Sequence, residues 1–153
     1  MVLIGAWPGK GKRANTYGAY LLACLDEENE GDLQAICKVG TGFKDTDLAS
    51  ISERVKSTRI DGPKSYYIYS KDLKEINDIH WFEPTEVWEI LCADMTLSPV
   101  YKAAIGLADD FKGISLRFPR FERLREDKKV EQATTASQLA EMYFNQDQVK
   151  NLQ

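Results

Sequence analysis

A mainly β domain is what the sequence predicts: a five-stranded Greek-key barrel with a helix between strands three and four, extra strands, and a C-terminal helix. Three observations lead there. Short apolar runs rich in Val, Ile, Tyr and Trp alternate with Gly-, Pro- and Asp-rich breaks. Helical periodicity appears in only two places. The chain has 153 residues, 43% of them hydrophobic, which suits one domain with a real core.

Met1–Trp7 (MVLIGAW) reads as the first strand and Tyr17–Leu25 (YGAYLLACL) as the second. The loop between them, Pro8–Thr16 (PGKGKRANT), has no periodicity. Asp26–Asp32 is a charged turn, and Leu33–Val39 (LQAICKV) returns as the third strand of a meander. Gly40-Thr41-Gly42 turns sharply. Leu48, Ile51 and Val55 then recur at helical spacing after a cap at Asp45 or Thr46, and Asp61-Gly62-Pro63 ends any continuation. Ser65–Ser70 reads as a strand, His80–Pro84 as irregular and Thr85–Leu97 as a long strand. Ile114–Phe118 alternates strictly. Pro119 offers no N–H to a ladder, and Phe121–Arg125 resumes with its apolar phase shifted, so a bulge or bend falls at the proline. Thr135 and Gln138 form a capping box, and Leu139, Met142 and Tyr143 make the stripe of the helix it opens. Residues 145–153 read as a fraying tail. Three strands, a helix and two more strands is the order of an OB-fold, whose loop between the first two strands is a ligand-binding loop. An SH3-like barrel or a Greek-key sandwich shares much of that order.

No run approaches the roughly 18 apolar residues that cross a bilayer, and the N-terminus does not read as a signal peptide. Cys24, Cys37 and Cys92 have no paired spacing and read as reduced thiols of an intracellular protein. His80, the sole histidine, reads as a packed residue; no nucleophile constellation or metal spacing appears.

The net charge is −4, and its distribution is uneven. From Lys112 to Lys129 there are seven basic and three acidic residues, a net of +4. Lys10, Lys12 and Arg13 add +3 in the first loop, which leaves −11 on the rest. Should the fold unite the two basic segments, one face is positive and the remainder keeps the protein soluble. Within GISLRFPRFERLREDKK, arginine suits phosphate contacts and phenylalanine suits stacking or wedging at bases. A solvated edge strand with core phenylalanines explains the same pattern, and a solvated turn explains Lys10, Lys12 and Arg13. The Gly-Lys-Gly-Lys loop is not a P-loop. Arg125, Glu126, Asp127 and Lys128 read on spacing alone as a surface ion-pair cluster.

The stretch GISLRFPRFERLREDKKVEQATT resembles the last signature motif of the eukaryotic replicative ATP-dependent DNA ligases, the DNA ligase I type. VLIGAWPGKGKR, LQAICKVGTGF, VWEILCADMTLSPVY and the helix after QATT agree in the same order, so the resemblance covers nearly the whole chain. It implies the C-terminal OB domain of a longer enzyme, following a nucleotidyltransferase domain that holds the adenylated lysine in a Lys-x-Asp-Gly motif absent here. By position, Arg125, Asp127 and Lys128 match the Arg-x-Asp-Lys element that reaches the β- and γ-phosphates of ATP during lysine adenylation; Arg125 and Lys128 are then the nucleotide-binding residues. Arg117 and Phe118 match the pair that approaches the minor groove at a nick, with Arg120, Lys10, Lys12 and Arg13 as further DNA contacts. The implied partners are nicked duplex DNA and the nucleotidyltransferase domain. ATP and Mg²⁺ are implied for the full-length enzyme and none for the isolated domain, which is expected to be a catalytically silent monomer. The implied setting is replication and repair in the nucleus. Glu122 and the acidic turn Glu27–Asp32 depart from the pattern. Two other readings are the OB domain of an mRNA capping guanylyltransferase or RNA ligase, and a stand-alone single-strand-binding OB module using Tyr17, Tyr20, Tyr67 and Tyr69.

Overall fold

The computed structural model describes residues 1–29 and 31–151. Strands β1 (Val2–Pro8), β2 (Tyr17–Asp26) and β3 (Asp32–Val39) form the expected antiparallel meander. The apolar run of β2 has a physical reason, because this strand is covered on both faces. Tyr20, Leu22 and Cys24 pack into the barrel interior with Trp88, Phe82 and Phe121. Ala19, Leu21 and Ala23 pack with Tyr67, Ile79 and Trp81 in an outer layer.

Helix α1 (Asp45–Val55) buries the predicted Leu48, Ile51 and Val55. Its start differs by one residue. Lys44 is the N-cap, and its backbone N–H donates to the Asp47 carboxylate at 2.9 Å, so neither Asp45 nor Thr46 caps. After α1 come β4 (Arg59–Ile60) and β5 (Tyr67–Ile68), the latter shorter than the 65–70 strand expected and paired parallel to β3. His80–Pro84 was expected to be irregular, yet β6 (His80–Phe82) lies between β1 and β4 in the main sheet. Three residues are too few to show a period. The pairing instead depends on a distant residue: a Cβ at Gly5 would lie 2.7 Å from Ile79 Cδ1 and 3.1 Å from the His80 carbonyl oxygen.

The long strand expected over 85–97 bends at Cys92–Ala93 into β7 (Trp88–Leu91) and β8 (Asp94–Ser98). The next stretch is β9 (Gly113–Arg117) and β10 (Arg120–Leu124). β8 pairs with β9 and β7 with β10, so the two halves form one bent antiparallel pair. The bend between β9 and β10 falls where predicted, but Phe118 rather than Pro119 adopts the unusual backbone, at φ 53°. Closure is double. Val2 bridges Val87 and Leu3 N–H donates to Glu86 O at 3.1 Å, while Ala103 N–H and Ser115 Oγ donate to Ala35 O and Ile36 O at 3.1 and 3.0 Å. The fourth barrel strand thus meets the first and the fifth meets the third, the OB-fold arrangement.

Thr135 and Gln138 make the predicted reciprocal capping box, at 3.2 and 2.9 Å, over α2 (Ala136–Phe144). Leu139 is buried and Tyr143 packs against the core, but Met142 is 44% exposed; Ala136 and Ala140 complete the buried stripe instead. The tail departs from fraying over its first part. Gln146 exchanges hydrogen bonds with the Met95 backbone at 2.6 and 3.1 Å, and α3 (Asp147–Lys150) follows. Residues 152 and 153 of that tail, and residue 30 of the acidic turn, lie outside the described residues. Cys24, Cys37 and Cys92 are free thiols; burial pushes Cys24 and Cys37 up to about 12, which leaves them unreactive.

Candidate functional site

Two basic sites lie at the two ends of β10. Arg120 opens that strand and Arg125 follows its end, roughly 16 Å further along at a strand's rise per residue.

The first site is the β9–β10 corner. Left-handed backbone is costly for a large side chain, and here it turns Phe118 out of the barrel: the ring is 70% exposed. The Arg117 guanidinium lies over it, 4.9 Å from the ring centroid. Arg117 Nε and one terminal nitrogen donate to the two oxygens of Asp94, at 2.7 and 2.5 Å. That bond holds the Asp94 carboxyl below the usual carboxylate range. By contrast, Phe121 is 6% exposed, stacked on Phe43 and set edge-on to Trp88. The core reading therefore holds for Phe121 and not for Phe118.

The 40–42 turn joins this corner to the first loop. Phe121 N–H donates to Thr41 O at 2.9 Å and Thr41 Oγ1 to Pro119 O at 3.2 Å. Gly42, at φ +92°, lies so close that a Cβ would sit 2.4 Å from the Phe121 carbonyl oxygen. On its other side Arg13 Nη1 donates to the carbonyls of Gly18 and Gly40, at 3.0 and 2.9 Å. The first loop is thereby tied beside the β9–β10 corner, and the two basic segments of the sequence converge. Lys10 and Lys12 are exposed on that loop, while Arg13 is half-buried and employed as its strut. Arg120 is exposed. A cleft of about 350 Å³ beside Phe118 is lined by Lys38, Gly40, Thr41, Pro119 and Arg120.

Lys38, Thr41 and Asp94 were missed by sequence reasoning. Lys38, the one charged residue inside the apolar LQAICKV run, has to face outward, and that signal was legible. Thr41 acquires its contacts from the turn after β3, and Asp94 from strand register, which pairs it with Arg117 across β8 and β9.

The second site follows β10. Arg125 N–H donates to Val87 O at 2.8 Å, fixing the chain as it leaves the sheet. Its guanidinium binds Asp127 through Nε and a terminal nitrogen, at 3.0 and 2.8 Å, and this hydrogen-bonded pairing draws the Asp127 carboxyl down to about 2. Lys128 and Lys129 are exposed and form no ion pair among the described residues. Arg125 and Lys128 border a cavity of about 340 Å³ whose wall includes Trp88, Ile90, Leu139 and Met142. Among the described residues no group of three His, Cys, Asp or Glu side chains could hold a metal.

His80 is packed as expected, with Tyr17 Oη and His80 Nδ1 3.0 Å apart and burial lowering its basicity. Of the four tyrosines a single-strand binder would use, Tyr17 is half-buried against His80. Tyr20 and Tyr67 are buried, Tyr67 donating to Phe82 O, and Tyr69 packs on Trp81.

The fold defines an OB-fold domain, with one face that gathers cations around an outward aromatic. The profile of the family described as ATP dependent DNA ligase C terminal region matches residues 13–128, and the chain belongs to that family. It is 55% identical to DNA ligase 1 of Drosophila melanogaster over all of its residues and 46% identical to DNA ligase 1 of Saccharomyces cerevisiae over 99% of them. It spans about a fifth of each relative, 20% and 19%. The ligase domain of M. tuberculosis LigD shares the fold, with a TM-score of 0.64 at 22% identity over 87% of this chain and 37% of that one.

Proposed function

We propose that this domain serves an ATP-dependent DNA ligase in two capacities, one at each end of β10. At the β9–β10 corner it engages nicked duplex DNA. Phe118 enters the minor groove and unstacks or widens a base step, as apolar wedges do. Arg117, Arg120, Lys10 and Lys12 face the phosphates. At the far end, Arg125 and Lys128 meet the triphosphate of ATP while a lysine of the nucleotidyltransferase domain attacks the α-phosphorus and pyrophosphate leaves. Positive charge aimed at the departing phosphates is the contribution such side chains make to phosphoryl-type transfer. Asp127 orients Arg125 through its bidentate pair. Mg²⁺, when bound in the whole enzyme, screens the phosphate charge. The domain alone forms no lysine adduct, and its work belongs to replication and repair in the nucleus.

The observation that carries this reading is the separation of an exposed, left-handed Phe118 from the Arg125 cluster along a single strand. One surface is thus available to DNA and another to nucleotide. The test uses a full-length ligase carrying this domain, with sealing and lysine adenylation measured separately. Loss of both steps from a substitution at either end, with the fold intact, would refute the division of labour.

A further inference from the structure

Asp94 holds Arg117 at two points, and the strand pairing behind them is fixed as well. The carboxylate takes the Nε edge of the guanidinium in a fork, at 2.7 and 2.5 Å, and the two residues are directly opposed in the β8–β9 register. The backbone is locked alongside, since Ala93 N–H donates to Arg117 O at 2.9 Å. The guanidinium so fixed lies 4.9 Å from the Phe118 ring, the residue whose left-handed backbone makes the corner. A guanidinium has five N–H donors. Two are used on Asp94, and three remain on the outer edge.

We infer that Asp94 is a positioning residue for the DNA-engaging corner: it clamps Arg117 as a rigid shelf beside Phe118, so that ring and outer guanidinium edge are presented together before DNA arrives. This rests on the proposed role of Phe118 at a nick. The carboxylate itself faces an anionic ligand and opposes it electrostatically, so its presence there is explained by orientation and not by attraction. Removing it has two opposite effects. General attraction to duplex rises because one negative charge is gone. Recognition of the nick falls because Phe118 and Arg117 lose their fixed geometry.

The experiment compares wild-type chain, Asp94→Asn, Phe118→Ala and the double variant for binding to nicked and to intact duplexes of one sequence. The Nε–H proton resonance of Arg117 is followed in parallel. Asp94→Asn keeps the shape and removes the charge. Expected are equal or tighter binding to intact duplex, a nicked-to-intact ratio that falls toward one, and loss of the distinct Arg117 Nε–H signal. Because Asp94 acts through the corner, the double variant should show no further fall in the ratio beyond Phe118→Ala. An unchanged ratio in Asp94→Asn, or additive losses in the double variant, overturns the inference. If the wild-type chain does not discriminate nicked from intact duplex, the nick reading of Phe118 fails instead. The clamp is then judged on the resonance, and an Arg117 signal unchanged in Asp94→Asn overturns it.

Discussion

Replacing Phe118 by alanine separates the proposed DNA-facing role from a purely structural one. The ring is 70% exposed, so less than a third of it is withdrawn from water. Fully burying a phenylalanine is worth about 1.5–3 kcal/mol, and the buried part here about 0.5–1 kcal/mol. The contact with Arg117 adds about 0.5–1 kcal/mol at such an exposed site. Alanine retains the strained left-handed φ of 53°, so no relief offsets the loss. The total of about 1–2 kcal/mol lowers the melting temperature by about 2–8 °C in a domain of this size. Phe121→Ala is the control. That ring is 6% exposed in the barrel interior, and its removal costs about 3–5 kcal/mol. Contact of an aromatic side chain with a base is worth about 1–3 kcal/mol, so Phe118→Ala should weaken nick binding roughly 5- to 150-fold. In single-turnover assays of the full-length ligase, lysine adenylation should stay near normal while sealing falls. Supplying pre-adenylated enzyme should not restore it. A melting point lowered by more than about 10 °C with both steps lost, or sealing unaffected in a folded variant, would refute the reasoning.

Arg125→Ala with Lys128→Ala should have the opposite profile, with adenylation slowed about ten- to a hundredfold per lost charge-assisted contact and sealing restored in large part by pre-adenylated enzyme. Asp127 supplies a pH signature. Its folded-state pKa lies below the ordinary 3.8, at about 2, so the stabilisation by Arg125 is fully present above pH 4 and disappears as pH falls toward 2. A carbon-detected NMR titration of Asp127 should show that low midpoint, and Arg125→Ala should move it up toward 3.8. Gly42→Ala would force a Cβ to 2.4 Å from Phe121 O at φ +92°, and a thermal melt should register a loss of about 2 kcal/mol or more. Duplex binding by the chain should weaken with salt at about 0.9 log units per log unit for each phosphate contact; salt-independent binding would contradict the charged face.

The meander, α1 and α2 were legible because each has a signal within a few residues: alternation or an apolar run bounded by turn formers, Leu48, Ile51 and Val55 at helical spacing, and Thr135 with Gln138 as a capping box. The concentration of Arg117, Arg120, Arg125 and Lys128 in an acidic chain was equally plain, as was the family of the motif around them. Position in space was not. β6 exists because Gly5 leaves room for Ile79 and His80, a contact seventy-odd residues away in sequence that no local period encodes. Phe118 and Phe121 occupy the same arginine-rich run. Only the corner made by a left-handed residue before Pro119 sends one ring outward and the other against Phe43 and Trp88. Asp94 reaches Arg117 through strand register, and Arg13 reaches Gly40 through a turn. The sequence by itself determined the meander, α1, α2 and the two basic segments. Barrel closure decided which charges meet, because pairing partners and cross-turn distances are properties of the assembled sheet and not of any stretch of chain.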